Sequence, residues 1–318
     1  MRSPNWRINM EKKTLGKTGL SVSRLGLGTA EIGFAYGIKP TLPTEAEAIT
    51  LLKKAVDLGV TFFDTASYYG LAEERIGKSG ILKNPEVIVE TKCAQFLEKG
   101  EYFSPAELEK KIRSQVEESL RKLQTDALPI LMLHGPSKEQ IENGELIEIM
   151  ARLKKAGKFR FAGVSTRGEE PPLAAVASDF FDVIMVAYSI LDQRMNKKVL
   201  PTAQKKNIGI VNRSVLLKGS LTPLREKLPA ELEPLKKASA EAEKIADELG
   251  IDLPTLAIRF ALSEPAITTT LIGTNKIEHI KKATEAVKAG PLPEKVMKKL
   301  RVLAIDDPKQ VDPAQWPK

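Results

Sequence analysis

Four side chains of kinds that move protons stand at or just after the ends of three successive short apolar runs. Asp64 ends VTFFD, and Tyr69 follows five residues later; Lys92 ends VIVETK and His134 ends LPILMLH. A phenol is a weak acid, with an ordinary pKa of about 10. A nearby ammonium favours the phenolate and makes the phenol a better proton donor near neutral pH. Lys92 can supply that ammonium, and Asp64 can hold it charged and oriented. His134 can hydrogen-bond a substrate oxygen and assist the proton transfer. This set provides an acid for a carbonyl oxygen but no evident nucleophile, so a hydride from a cofactor would complete a carbonyl reduction.

Each residue also has a plainer explanation. Asp64 can cap a turn, Lys92 can snorkel to the surface, and a lone histidine closing an apolar strand is more often structural than catalytic. What sets this group apart is its placement, because its members stand at or just after the ends of three successive strands, with Asp64 and Tyr69 sharing the first. The runs at 25–28, 60–66, 87–92, 128–134, 159–165, 181–187, 209–213 and 266–272 are short and apolar, as strands buried on both faces are. Segments of helical period alternate with them: 44–58, 72–79, 104–123, 139–155, 172–178, 198–206, 233–249, 254–262, 278–287 and 294–303. Thr44 and Ser104 stand at N-cap positions, with Pro105 opening its helix. Eight strand–helix units imply right-handed βαβ connections. The chain therefore reads as an α/β protein: a single (β/α)8 TIM barrel, with an N-terminal β-hairpin around Gly16 and Gly19 and extra C-terminal helices. Residues 1–10 read as a disordered arm and 11–318 as the barrel domain with its extended tail. In such a barrel the C-terminal strand ends form the active-site mouth.

Composition narrows the alternatives. The single cysteine, Cys93, excludes an intrachain disulfide and reads as a small buried residue. Apolar runs are too short for a membrane helix and no signal-peptide core opens the chain, which favours the cytoplasm. The net charge of +8 is spread over helices where glutamates interleave with lysines, so no nucleic-acid groove is expected. His134 and His279 are not at metal-ligand spacing, and no metal site is expected. No GxGxxG turn follows the first strand, and neither a GxxxxGK[ST] loop nor a GxSxG elbow is present.

The same segments resemble the aldo-keto reductases over nearly the whole chain, from LGKTGLSVSRLGLGT to LIGTNK. GVTFFDTASYYG is similar to the family's aspartate–tyrosine signature, VIVETK to its lysine strand and LPILMLHGP to its histidine strand. The resemblance implies NAD(P)(H)-dependent reduction of aldehydes or ketones, with catalytic Asp64, Tyr69, Lys92 and His134 and with Tyr69 as proton donor. It also implies a cofactor lying extended across the barrel mouth. Ser165 and Thr166 in FAGVST and Met185 in FDVIMVAYS fall where the family contacts the carboxamide, Thr166 replacing a common Asn and Met185 a common Gln. Arg213 stands where an aromatic often stacks on the nicotinamide, and a guanidinium can also stack. Ser214, Leu216 and Lys218 fall on diphosphate-contacting positions. Gly273, Thr274, Asn275 and Lys276 would surround a 2′-phosphate, and Lys276 motivates NADP(H) over NAD(H). Further on, Lys282 and Ala283 replace a common Glu and Asn.

The first expectation is therefore an NADP(H)-dependent oxidoreductase working as a monomer on a small carbonyl or alcohol substrate, with neither nucleic acid nor membrane as partner. An alternative is a non-catalytic NADP(H)-binding regulatory subunit of the same fold. A third, with Lys92 as a Schiff-base former, needs a lysine of lowered pKa, and a paired Asp64 would raise it instead. Phe34, Tyr36, Tyr68, Phe96 and Trp316 are candidates for an apolar pocket wall, and the loop from Glu31 to Pro43 is the expected specificity element.

Overall fold

A computed structural model describes residues 10–35, 40–101 and 103–317. Eight parallel strands close into a barrel: β3 (Leu25–Gly28), β4 (Phe62–Asp64), β5 (Ile88–Cys93), β6 (Leu128–His134), β7 (Phe159–Ser165), β8 (Val183–Ala187), β9 (Gly209–Arg213) and β10 (Thr269–Gly273). Each pairs with the next, and β10 pairs with both β9 and β3. Before them, β1 (Lys12–Thr14) and β2 (Ser21–Ser23) form an antiparallel hairpin. Leu15, Leu20 and Val22 of that hairpin join Phe62, Ile88, Ile130 and Val183 in one apolar cluster, which plugs the barrel at the N-terminal ends of its strands. The expected arm lies outside the described residues except for Met10, which is buried.

Strand alternation explains how this floor meets the site. Inward positions read Phe62 then Asp64 on β4, Ile88, Glu90 and Lys92 on β5, and Ile130, Met132 and His134 on β6. Apolar side chains fill the lower layer and polar ones stand above it. Outward positions such as Phe63, Val89 and Leu131 belong to the larger core beneath the helices. Burying a side chain of this size contributes about 1.5–3 kcal/mol, so the strands are pinned from both faces.

Helices cover the outside, and their starts follow the sequence. In α1 (Glu45–Asp57), Thr44 accepts from the Glu47 N–H while the Glu47 carboxylate accepts from the Thr44 N–H; Ser104 and Glu107 repeat the arrangement at α3 (Pro105–Leu123). The helix expected over 139–155 is two: α4 (Lys138–Glu142) and α5 (Glu145–Lys155). Gly144, at φ +81°, breaks it, adopting a left-handed backbone that glycine takes without steric cost. The last strand begins at Thr269 rather than Ala266. No helix among the described residues is long and apolar enough to cross a membrane.

Candidate active site

Asp64 and Lys92 end up side by side because β4 and β5 are neighbours and both residues face inward. Lys92 is 1% exposed, and its ammonium is ion-paired to Asp64 Oδ1 and donates to the Thr65 carbonyl at 2.8 Å. Burial by itself would discharge the lysine. The charge of Asp64, followed by Tyr69 and Glu90, outweighs that penalty and raises Lys92 above its ordinary value. A lysine held charged in this way is no Schiff-base former.

Tyr69 comes from the turn after β4. The Lys92 ammonium lies 4.9 Å from its ring centroid. The His134 ring stands edge-on to the phenol ring, with centroids 6.0 Å apart and planes at 83°. Phe34 lies against the same ring at 6.1 Å. A close backbone approach places this turn. A Cβ on Gly33 would sit 1.8 Å from the Tyr69 carbonyl oxygen, so only glycine lets the two loops meet. The Leu71 N–H donates to the Gly33 carbonyl at 3.0 Å and closes the contact.

His134 titrates well below its usual range. Burial is the main cause, and Lys92, Arg213 and Arg167 add positive charge around it. Its imidazole is therefore neutral at pH 7, and Nδ1 is buried with no hydrogen-bond partner. A neutral imidazole can donate through one ring nitrogen to a substrate oxygen.

These groups open into a cleft of about 470 Å³ across the barrel mouth. Asp64, Tyr69 and His134 line it, with Ser165, Met185, Arg213, Ser214, Leu216, Lys218 and Gly273 from the residues expected to hold a cofactor. Arg213 donates to the Thr166 carbonyl at 2.8 Å and to Ser214 Oγ at 3.3 Å. The loop after β9 turns through left-handed residues at Ser214, Leu217 and Lys218. Thr166 lies off the cleft wall, buried, with its hydroxyl on the Met185 carbonyl at 3.4 Å. Thr274 bonds His279 Nδ1 at 2.8 Å and accepts from the Lys276 N–H at 3.1 Å. Asn275 donates to Thr41 at 2.9 Å in an adjoining groove. Lys276 is exposed.

Phe34 and Tyr68 stand on the cleft wall. Phe96 packs on Phe103 instead, at 5.1 Å, and Trp316 donates to the Gln310 carbonyl with the Lys218 ammonium 5.7 Å from its ring. Tyr36 lies outside the described residues. Cys93 faces outward into the core, where burial pushes its thiol up to about 12.

Several residues here were not singled out from the sequence. Arg167 bridges Glu98 at 2.9 Å and Asp312 at 3.0 Å, tying two barrel loops to the C-terminal tail beside the cleft. Glu31 lines the cleft near Lys276, its carboxyl raised by burial against the opposing pull of the Asn275 N–H and Lys276. Glu90 stands beside Asp64 on the neighbouring strand and is fully buried. Only Glu90 had a legible signal: two positions before Lys92, it shares that strand face.

The model of the aldo/keto reductase family matches residues 24–305. The chain belongs to this family. It is accordingly an NAD(P)H-dependent oxidoreductase acting on carbonyl substrates. L-galactose dehydrogenase of Arabidopsis thaliana is 32% identical over 87% of this chain and 88% of its own length. The aldo-keto reductase YhdN of Bacillus subtilis (strain 168) is 31% identical over 84% and 86%. Among solved structures, the holo form of aldo-keto reductase AKR11C1 from Bacillus halodurans superposes with a TM-score of 0.78 at 27% identity, covering 94% of this chain and 98% of that one. Within the family frame, a nicotinamide cofactor suits the donor set of the cleft: the Ser165 hydroxyl, the Arg213 and Lys218 cations, and the tight turn from Ser214.

Proposed function

We propose that this aldo-keto reductase uses NADP(H) to interconvert an aldehyde or ketone and its alcohol, with Tyr69 as the proton donor to the carbonyl oxygen. The observation that carries this reading is the buried Lys92 ammonium, locked to Asp64 and 4.9 Å from the centroid of the phenol ring, with neutral His134 edge-on to that ring. The cofactor, when bound, supplies the hydride. Tyr69 delivers the proton, and the ammonium stabilises the phenolate that remains. His134 orients the carbonyl oxygen by donating to it, and its neutrality avoids a second cation competing for the same charge. Ser165 and Arg213 border the expected nicotinamide position, Ser214, Leu216 and Lys218 the diphosphate, and Gly273 to Lys276 the 2′-phosphate.

The test is NADPH oxidation by purified protein with an aldehyde and ketone series, alongside fluorescence titration of NADPH and NADH. Tyr69→Phe is expected to lose about 10²- to 10⁴-fold in kcat while binding NADPH unchanged. Lys276→Ala is expected to weaken NADPH and leave NADH nearly unaffected. Full turnover by Tyr69→Phe refutes the proton-donor role.

A further inference from the structure

Glu90 has a setting that simple core packing does not explain. It points into the barrel from β5 and is the register partner of Asp64 on β4. It is 0% exposed, and neither of its carboxyl oxygens accepts a hydrogen bond. Its register partner on β6 is Ile130, which brings no charge. The charged groups facing it are Asp64 from β4 and Lys92 from its own strand, with Tyr69 acting on Lys92 from the turn above. The one cation is already committed to Asp64 and the Thr65 carbonyl.

An ionised Glu90 would be a buried anion without a donor, pressed against a second anion, and both conditions oppose charge. Burial first, and Asp64 second, raise its carboxyl well above the usual range. As register partners on neighbouring strands, both pointing into the barrel, Asp64 and Glu90 set their carboxyls side by side. Two carboxyls in contact form a bond only when one carries a proton.

We propose that Glu90 is a positioning residue: a buried carboxylic acid that keeps its proton and donates it to the Asp64 carboxylate, steadying the acceptor of the Lys92 ammonium. This rests on the assignment of Asp64, Lys92 and Tyr69 to proton delivery. Lys92 holds one side of Asp64 and Glu90 the other, so the ammonium is aimed at the phenol by a carboxylate that cannot rotate away. The charge-assisted O–H···O⁻ bond belongs to the stronger class of hydrogen bonds.

Three measurements on Glu90→Gln and Glu90→Met test this, with circular dichroism and NADPH titration verifying that both variants fold. Infrared difference spectra of wild type against Glu90→Gln at pH 8 are expected to show the carbonyl stretch of a protonated carboxyl, lost in the variant. Glu90→Gln retains a neutral donor of the same shape, so its kcat should stay within about threefold of wild type with an overlapping pH profile. Glu90→Met removes the donor, and kcat should fall about 5- to 100-fold at unchanged NADPH affinity, with the basic limb of the profile displaced. The stability of Glu90→Gln relative to wild type should rise between pH 4 and pH 8, because only unfolded wild type releases the Glu90 proton there. No infrared band, or a Glu90→Gln variant as impaired as Glu90→Met, overturns the proposal, as does a Glu90→Met variant with the wild-type profile. Wild type without turnover on any carbonyl overturns the reductase reading and the positioning role with it, while the infrared band still reports the proton independently.

Discussion

Replacing Lys92 by Met probes the site most directly, because it removes the ammonium and keeps most of the aliphatic stem. Lys92 is 1% exposed and Asp64 is 5% exposed, so the substitution strands a buried carboxylate and also frees the Thr65 carbonyl. Removing one partner of a buried ion pair costs about 3–5 kcal/mol, a large part of the ~5–15 kcal/mol stability of a typical domain. The deficit should depend on pH. In wild type, Lys92 is raised above its unfolded value, so its stabilisation is fully present below pH 10.5 and adds no slope between pH 5 and pH 8. In the variant, proton uptake is how the stranded carboxyl escapes its penalty, so the loss should shrink as the pH falls from 8 to 5. Urea denaturation followed by circular dichroism at several pH values reads this as a shift in midpoint at constant slope. Turnover should fall about 10²- to 10⁴-fold in parallel. A stability loss under about 1 kcal/mol, equal at every pH, would refute the buried ion pair as the organiser of the site.

Two other substitutions probe what surrounds that pair. Gly33→Ala drives a methyl into the Tyr69 carbonyl oxygen, now 1.8 Å from the Cβ position, and should lower stability by about 1–3 kcal/mol; because the displaced segment carries Tyr69, kcat should drop as well, and a variant stable and active as wild type would show that the loops can separate freely. His134→Gln bears on acid sensitivity: unfolded protein takes up a proton below about pH 6.5 that buried His134 resists, so wild type loses stability there at up to about 1.4 kcal/mol per pH unit from this group. The variant should show a shallower acid limb in denaturation midpoints, and an unchanged limb would mean that His134 is protonated in the fold.

Much of this molecule can be read without coordinates because its periodic signals are local. Short apolar runs alternating with helical segments specify eight βα units, and Thr44 and Ser104 cap their helices through side chains only three residues from their partners. Asp64, Lys92 and His134 announce themselves as polar residues closing apolar strands, and the rule that barrel chemistry sits at strand ends does not require knowing which strands touch. Register and burial are different in kind, since they depend on residues distant in sequence. The break at Gly144 turns on a single left-handed residue inside a helical pattern. Arg167, Glu98 and Asp312 meet only once the tail crosses the mouth, and the neutrality of His134 follows from burial beneath three cations. Glu90 shows the division most plainly. Its spacing from Lys92 places both on one strand face, but only the pairing of β4 with β5 sets it against Asp64, where a low-dielectric interior with one cation leaves no room for two negative charges.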